Sequence, residues 1–208
     1  MSLGQPLDRE LFLGPPEQVA PRLLGAILAH HTPSGTLAGR VVELEAYLGP
    51  HALPADPAAH AHRGPTPRNR VLFGPPGHAY VYAIYGRYFC MNVSCQPEGQ
   101  AGCVLIRALE PLEGLAQMAH HRGLQPPAAL PSLTAGPSRL CQALGLSRAL
   151  HNGLDLLAPG SPLRLYRDGY LPGAVRVTPR IGIRQAVDLP LRFALAGHAC
   201  VSGPRRLR

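Results

Sequence analysis

Apolar residues Val19, Leu23, Leu24, Ile27 and Leu28 recur at helical spacing and predict an amphipathic helix over residues 16–30. The period then changes from helical to alternating. In TLAGRVVELEAYL, a strand over about 37–48 would place Val42, Leu44, Ala46 and Leu48 on one face. Glu43, Glu45 and Tyr47 would occupy the other. Residues 49–70 carry no periodicity and are rich in Pro, His and Arg, the signature of a loop. Residues 79–95 predict two strands joined near Tyr85-Gly86-Arg87, with Gly86 as the turn residue. An apolar strand follows at about 102–109, and a helix is expected to begin at Glu110, with Pro111 in its first turn. The stretch 121–135 is a Pro-rich connection, and a short helix over about 137–144 stops at Gly145. From Leu163 onward the chain predicts short strands in LRLYR, AVRV, RIGI and LRFALA.

Few helices and many short strands that do not alternate with them point to α+β. The expected architecture is one domain over residues 1–208, a curved, mostly antiparallel sheet flanked by a few helices and a protruding β-hairpin. The arginine-rich end, 205–208, is expected to be a mobile tail.

Composition narrows the choices. The 23 glycines and 24 prolines among 208 residues fall just short of the roughly 25–30% at which disorder becomes the better reading, so long, stiffened loops are expected in an ordered domain. A net charge of +8 suits a polyanionic partner, although charge alone reports only on solubility and non-specific binding. All 20 cationic side chains are arginine. Arginine grips phosphate bidentately and does not act as an amine nucleophile, so lysine Schiff-base chemistry is excluded. Five cysteines without a CxxC pair, no secretory pattern at the start and no run of about 18 apolar residues argue for a reduced cytoplasmic setting without a membrane span. Neither His60 and His62 nor His120 and His121 have companions at ligand spacing, so no metal and no cofactor are expected. A monomer is the default.

Seven of the eleven aromatic residues lie between Tyr47 and Phe89. Tyr80, Tyr82, Tyr85 and Tyr88 stand beside Arg87 and follow Arg63, Arg68 and Arg70. Aromatic rings interleaved with arginine make stacking platforms for bases next to grips for phosphate; simple sheet packing is the competing reading. Glu45, flanked by apolar neighbours on a half-buried strand, needs a partner or a function. Arg107, set in CVLIRAL, fits equally as one half of a structural ion pair or as part of a catalytic site.

The runs ELEAYLGP, AAHAHRGPTPRNRVLF, PPGHAYVYAIYGRYFCMNVS and CVLIRALEPLEG together resemble the alkyladenine (3-methyladenine) DNA glycosylase family, as do GPSRLCQALGL, RIGI and PLRF further on. The resemblance implies that Glu45 deprotonates a water, that Arg107 orients that water and engages a nearby phosphate, and that the Ile181 carbonyl supplies a third water contact. Tyr47 would stack on a flipped base, with His60 and Tyr82 on the other sides of its pocket. The AAH string favours His60 over His62 for that place. Asn92 would oppose the 2-amino group of guanine. Tyr85 would wedge into the minor groove. From the interleaving of rings and arginines, Arg68, Tyr80, Tyr88 and Arg87, the last a departure from the family's apolar residue there, are expected to contact DNA.

A base inside a duplex must be extruded before chemistry can reach it, and an aromatic wedge fills the gap. Alkylated purines are cationic, so aromatic walls attract them and they leave readily. The implied partner is double-stranded DNA carrying alkylated or deaminated purines, in the cytoplasm and at the nucleoid if bacterial. Two other readings remain at this point: a catalytically silent damage-binding module, and an enzyme acting on a small nucleoside or formylated substrate.

Overall fold

The long strand β3 organises the sheet, because three different strands pair along it. The computed structural model describes residues 2–204; the expected tail at 205–208 lies outside the described residues. In chain order the strands are β1 (Gln5–Pro6), β2 (Ile27–Thr32), β3 (Gly35–Tyr47), β4 (Ala79–Ile84), β5 (Tyr88–Ser94), β6 (Cys103–Glu113), β7 (Leu163–Arg167), β8 (Val175–Thr178) and β9 (Arg192–Leu195). Helices are α1 (Pro16–Leu23), α2 (Leu115–His121), α3 (Leu130–Thr134), α4 (Pro137–Ala143) and α5 (Arg148–His151).

Every pairing among these strands is antiparallel, in the order β1-β7-β2-β3-β6-β5-β4, with β9 joining β3 and β8 joining β9. One edge of β3 is shared: its first half pairs with β2, and Glu43–Glu45 pair with β9. The other edge pairs with β6, with register shifts near Gly39 and on both sides of Glu43. Such bulges bend a sheet and re-aim side chains. The expected α+β class and antiparallel sheet are present.

Several elements differ from the sequence expectation, among them the short helix α3 inside the stretch 121–135 expected as a connection. The helix begun at Pro16 stops at Leu23, and residues 27–32 are strand β2. Gly25 turns the chain at φ 82°, and its N–H donates to the Val41 carbonyl at 2.9 Å. The apolar run Ala26–Ala29 is buried on both faces of the sheet, so its pattern does not distinguish strand from helix. At Glu110 no helix begins; β6 continues to Glu113, because the first half of β3 extends alongside it and pairs Arg40 with Glu110 and Gly39 with Pro111. RIGI forms a loop rather than a strand.

Val42, Leu44 and Ala46 are fully buried and join Leu23, Met118 and Leu140 in the main core. A smaller cluster, Ala61, Leu72, Tyr80, Ala101 and Cys103, takes Tyr47 and Tyr82 against it. The candidate site residues Tyr47, Tyr80 and Tyr82 belong to this second cluster.

Candidate active site

β3 delivers two carboxylates, Glu43 and Glu45, to the same side of the sheet, both with no exposed surface. Three donors converge on Glu45. The Ile181 N–H donates to Oε1 at 2.7 Å, Arg107 Nη1 lies 3.1 Å from Oε1, and the Tyr47 hydroxyl donates to Oε2 at 3.0 Å. Arg107 also donates from Nε to Glu43 Oε1 at 2.9 Å, from Nη1 to the Ile181 carbonyl at 3.4 Å and from Nη2 to Ser202 Oγ at 3.3 Å. Burial alone would lower the Arg107 guanidinium; the charges of Glu45 and Glu43 outweigh it and raise its pKa. The ion pair anticipated between Glu45 and Arg107 therefore exists, and it stands at a cavity.

That cavity holds about 320 Å³, within the range of small-molecule sites, and its wall includes Tyr47, His60, Arg68, Tyr82, Asn92 and Arg107, with Ile181 beside them. Glu45 itself is not part of the wall. It lies one side chain behind it, reached through Tyr47, Arg107 and Ile181, which are.

The rings form a corner. Tyr80 and Tyr82 stack with centroids 5.4 Å apart, and His60 meets Tyr82 edge-on at 4.6 Å. His60 Nδ1 lies 3.0 Å from the Tyr80 hydroxyl. Burial against these rings, then the charge of Arg68, lowers the His60 pKa even though part of the residue opens to the cavity. Burial raises the Tyr47 and Tyr82 phenols strongly and pushes Tyr80 up to about 12, so all three remain protonated donors at neutral pH. Asn92, nearly fully buried, donates from Nδ2 to the Tyr80 carbonyl at 3.3 Å and accepts from Cys103 Sγ at 3.5 Å.

The structure separates the remaining sequence candidates. His62 lines a different cavity, beside His51 and Arg63, and only His60 reaches the aromatic corner. Tyr80, expected among the DNA-contacting residues, is 1% exposed and belongs to the cavity wall, because its alternation on β4 points it into the second core. Arg68 is exposed at the cavity edge, its guanidinium 5.7 Å from the Tyr82 ring centre. Tyr85 is 90% exposed at the tip of the β4–β5 hairpin, where Tyr85 (φ 48°) and Gly86 (φ 74°) both have left-handed backbone. That conformation is easy for glycine and strained for tyrosine. Arg87 lies over the Tyr88 ring at 4.9 Å, and both line a groove between the hairpin and α4 rather than the cavity. Among the described residues no group of His, Cys, Asp or Glu is arranged to hold a metal.

Sequence reasoning missed the supports. Glu43 accepts from Arg192 Nε at 2.7 Å and from the Ser202 N–H at 2.6 Å, besides Arg107. Arg180 and Asp56 form a fully buried bidentate pair, with both contacts at 2.7 Å. Asp56 is the one acidic residue in the loop 49–70. A lone carboxylate among prolines, histidines and arginines was a signal for such a pair.

A cavity of this size walled by phenols and an imidazole, with an arginine-clamped carboxylate behind it, has room for a flat, base-sized group near a proton acceptor. Its basic protein frame suits a polyanion. The comparisons agree on the class. Residues 10–199 match the family model of methylpurine-DNA glycosylase, and the chain belongs to that family. It is 51% identical over 208 residues to a protein of Koribacter versatilis named "Putative 3-methyladenine DNA glycosylase", covering 99% of this chain and 98% of that one. Proteins of the same name from Rhodopseudomonas palustris (49% identical; 98% of this chain, 91% of the relative) and Burkholderia lata (46%; 97% and 93%) are also similar.

Proposed function

We propose that this DNA glycosylase extrudes a damaged purine nucleotide from double-stranded DNA into the Tyr47–His60–Tyr82 cavity and hydrolyses its N-glycosidic bond with a water activated by Glu45. The observation that carries this reading is the Glu45 carboxylate, clamped by Arg107 and the Ile181 peptide directly behind a cavity of aromatic rings. The water gives its proton to Glu45. Its oxygen bonds to the anomeric carbon as the bond from that carbon to the base nitrogen breaks, and the electron pair leaves with the base. A base alkylated at N3 or N7 carries a positive charge and departs neutral, so one carboxylate suffices where sugar-cleaving enzymes use two.

Arg107 and the Ile181 carbonyl hold the water, and Tyr47, His60 and Tyr82 hold the base. Asn92 faces the edge that carries the 2-amino group of guanine. Tyr85 fills the space the base leaves, and its strained backbone at an exposed tip fits a residue shaped for insertion rather than for stability. Arg68, Arg87 and Tyr88 contact the DNA backbone. The substrates are 3-methyladenine and 7-methylguanine; hypoxanthine and ethenoadenine are neutral ones, whose base leaves with the electron pair as an anion and takes up a proton from solvent. Without lysine no side-chain Schiff base forms, so the product is an abasic site in an intact strand.

The test is incubation of pure protein with duplexes each carrying one of these lesions. Release of free base, with strand breakage only after alkali, supports the reading. Tight lesion binding without base release makes the protein a silent recognition module. Nicking without alkali contradicts the hydrolytic mechanism.

A further inference from the structure

We propose that the buried Arg180–Asp56 pair is a positioning unit for base excision, holding the Ile181 peptide and the Tyr47 ring in register with Glu45. The inference rests on the catalytic role proposed above for Glu45.

The loops that complete the cavity lack regular structure. No strand or helix lies between Tyr47 and Arg70 or between Thr178 and Arg192, so side chains must set their geometry. One ion pair joins both loops to β3. Arg180 Nη1 donates to Asp56 Oδ2 at 2.7 Å and to the Ala46 carbonyl at 3.0 Å, on the residue between Glu45 and Tyr47. Asp56 accepts the Leu48 N–H at 3.0 Å, just beyond Tyr47, and the Ala58 N–H at 3.2 Å, two residues before His60. Arg180 directly precedes Ile181, whose N–H reaches Glu45 at 2.7 Å and whose carbonyl accepts from Arg107. Displacing Arg180 thus moves the Glu45 donor, the Arg107 acceptor and the support of His60 together.

The pair is a poor investment for stability alone. Buried ion pairs commonly match or fall short of apolar side chains of equal volume. Arg180 Nε, moreover, is buried and has no hydrogen-bond partner among the described residues. Fixed geometry is the better explanation for its presence.

A second consequence concerns which base is held. The Arg180 guanidinium carbon lies 4.5 Å over the Tyr47 ring, yet Arg180 is not in the cavity wall, so it covers the ring from behind. A cation on that side draws π density away from the face offered to a base, weakening attraction for a cationic base relative to a neutral one. Asp56 moderates this field without cancelling it at such short range. Removing the charges should therefore shift preference toward cationic lesions.

The test uses Arg180→Gln combined with Asp56→Asn, which removes both charges together and keeps an acceptor for one of the two N–H groups, Leu48 and Ala58, that Asp56 holds on separate oxygens. Melting temperature, lesion-duplex affinity and single-turnover excision are measured with hypoxanthine (neutral) and 7-methylguanine (cationic). Expected are a folded protein, little change in affinity, a single-turnover rate lower by about ten- to a hundredfold, and a larger loss for hypoxanthine than for 7-methylguanine. Arg180→Lys keeps the charge but not the fork, and should recover part of the rate; it also serves as the deciding variant if the double substitution does not fold. An unchanged rate in a folded variant overturns the proposal. So does a loss that is equal for both lesions and follows melting temperature or affinity. If Glu45→Gln excises like the wild type, the underlying mechanism has failed instead, a distinguishable result.

Discussion

Glu43 and Glu45 stand two residues apart on one strand, both fully buried and both touching Arg107, yet their surroundings differ in kind. Glu43 is held by two guanidiniums, from Arg107 and Arg192, and by the Ser202 N–H, all parts of the packed frame. Glu45 has one oxygen held by Arg107 and the Ile181 N–H, while its other oxygen accepts from the hydroxyl of Tyr47, itself in the cavity wall. A carboxylate locked on both oxygens serves the fold. One closed off by a single phenol at the cavity wall is positioned to exchange that hydroxyl for water. Burial and pairing with Arg107, which the two share, do not distinguish structure from chemistry; what lies on the second oxygen does.

Exchanging the two residues breaks the comparison most sharply. Glu45→Gln should lower single-turnover base release by about 10²–10⁴-fold, the usual worth of a general base, with lesion binding retained. Glu43→Gln should instead cost about 3–5 kcal/mol of stability, as expected when one member of a buried ion pair is removed, measured by denaturant unfolding. If Glu43→Gln proves the more damaging to excision in a folded protein, the assignment is inverted.

Next in size is the hairpin tip. Tyr85→Gly should weaken lesion-duplex binding by about tenfold or more, since unstacking a step costs a few kcal/mol that the wedge offsets. The same change should raise stability by about 1 kcal/mol through release of the left-handed backbone. Binding and unfolding measurements on one variant would thus move in opposite directions.

Tyr47→Phe sharpens the comparison at smaller scale. It keeps the ring and removes the hydroxyl from Glu45 Oε2, so excision should change by no more than about fivefold, the worth of a hydrogen bond of about 1 kcal/mol. Tyr47→Ala should cost much more.

The smallest effect falls away from both carboxylates. His30 Nε2 and His151 Nε2 face each other at 3.2 Å, an arrangement with room for one proton between them. Burial first lowers the pKa of both; the charge of His30 acts in the same direction on His151, and those of His31 and His121 on His30, against the backbone hydrogen bonds to Leu144 and Ser147. With folded values below the ordinary 6.5, the unfolded chain binds protons more readily. Their stabilisation is therefore complete above that pH and declines as pH falls below it. Urea unfolding between pH 7.5 and 5 should show a loss that His151→Gln reduces, at pH values above the window in which Asp168, held near 2 by its hydrogen bond from Arg40, contributes.

The paired strands β4 and β5 and the Tyr85 turn were legible because alternation and a turn glycine are local signals. Glu45 and Arg107 were legible as a candidate pair, and the family resemblance lent them roles. The end of α1 was not legible, since a strand buried on both faces loses its period. Pro111 suggested a helix start because nothing local announces that β3 continues alongside β6. Most opaque was the support of the site. Arg180 and Asp56 lie 124 positions apart and meet only because two irregular loops close over β3. Glu43 shared every local feature of Glu45, and only Arg192 and Ser202, far along the chain, set it apart.

The role of Glu45 turns on whether solvent takes the place of the Tyr47 hydroxyl on its carboxylate when a nucleotide is bound. A crystal structure with a duplex carrying a non-hydrolysable flipped purine nucleotide should show a water within roughly 2.6–3.2 Å of a Glu45 oxygen, also touching the Ile181 carbonyl and facing the anomeric carbon. A base seated against Tyr47 while Glu45 stays closed by the phenol, with no water between carboxylate and sugar, would contradict it.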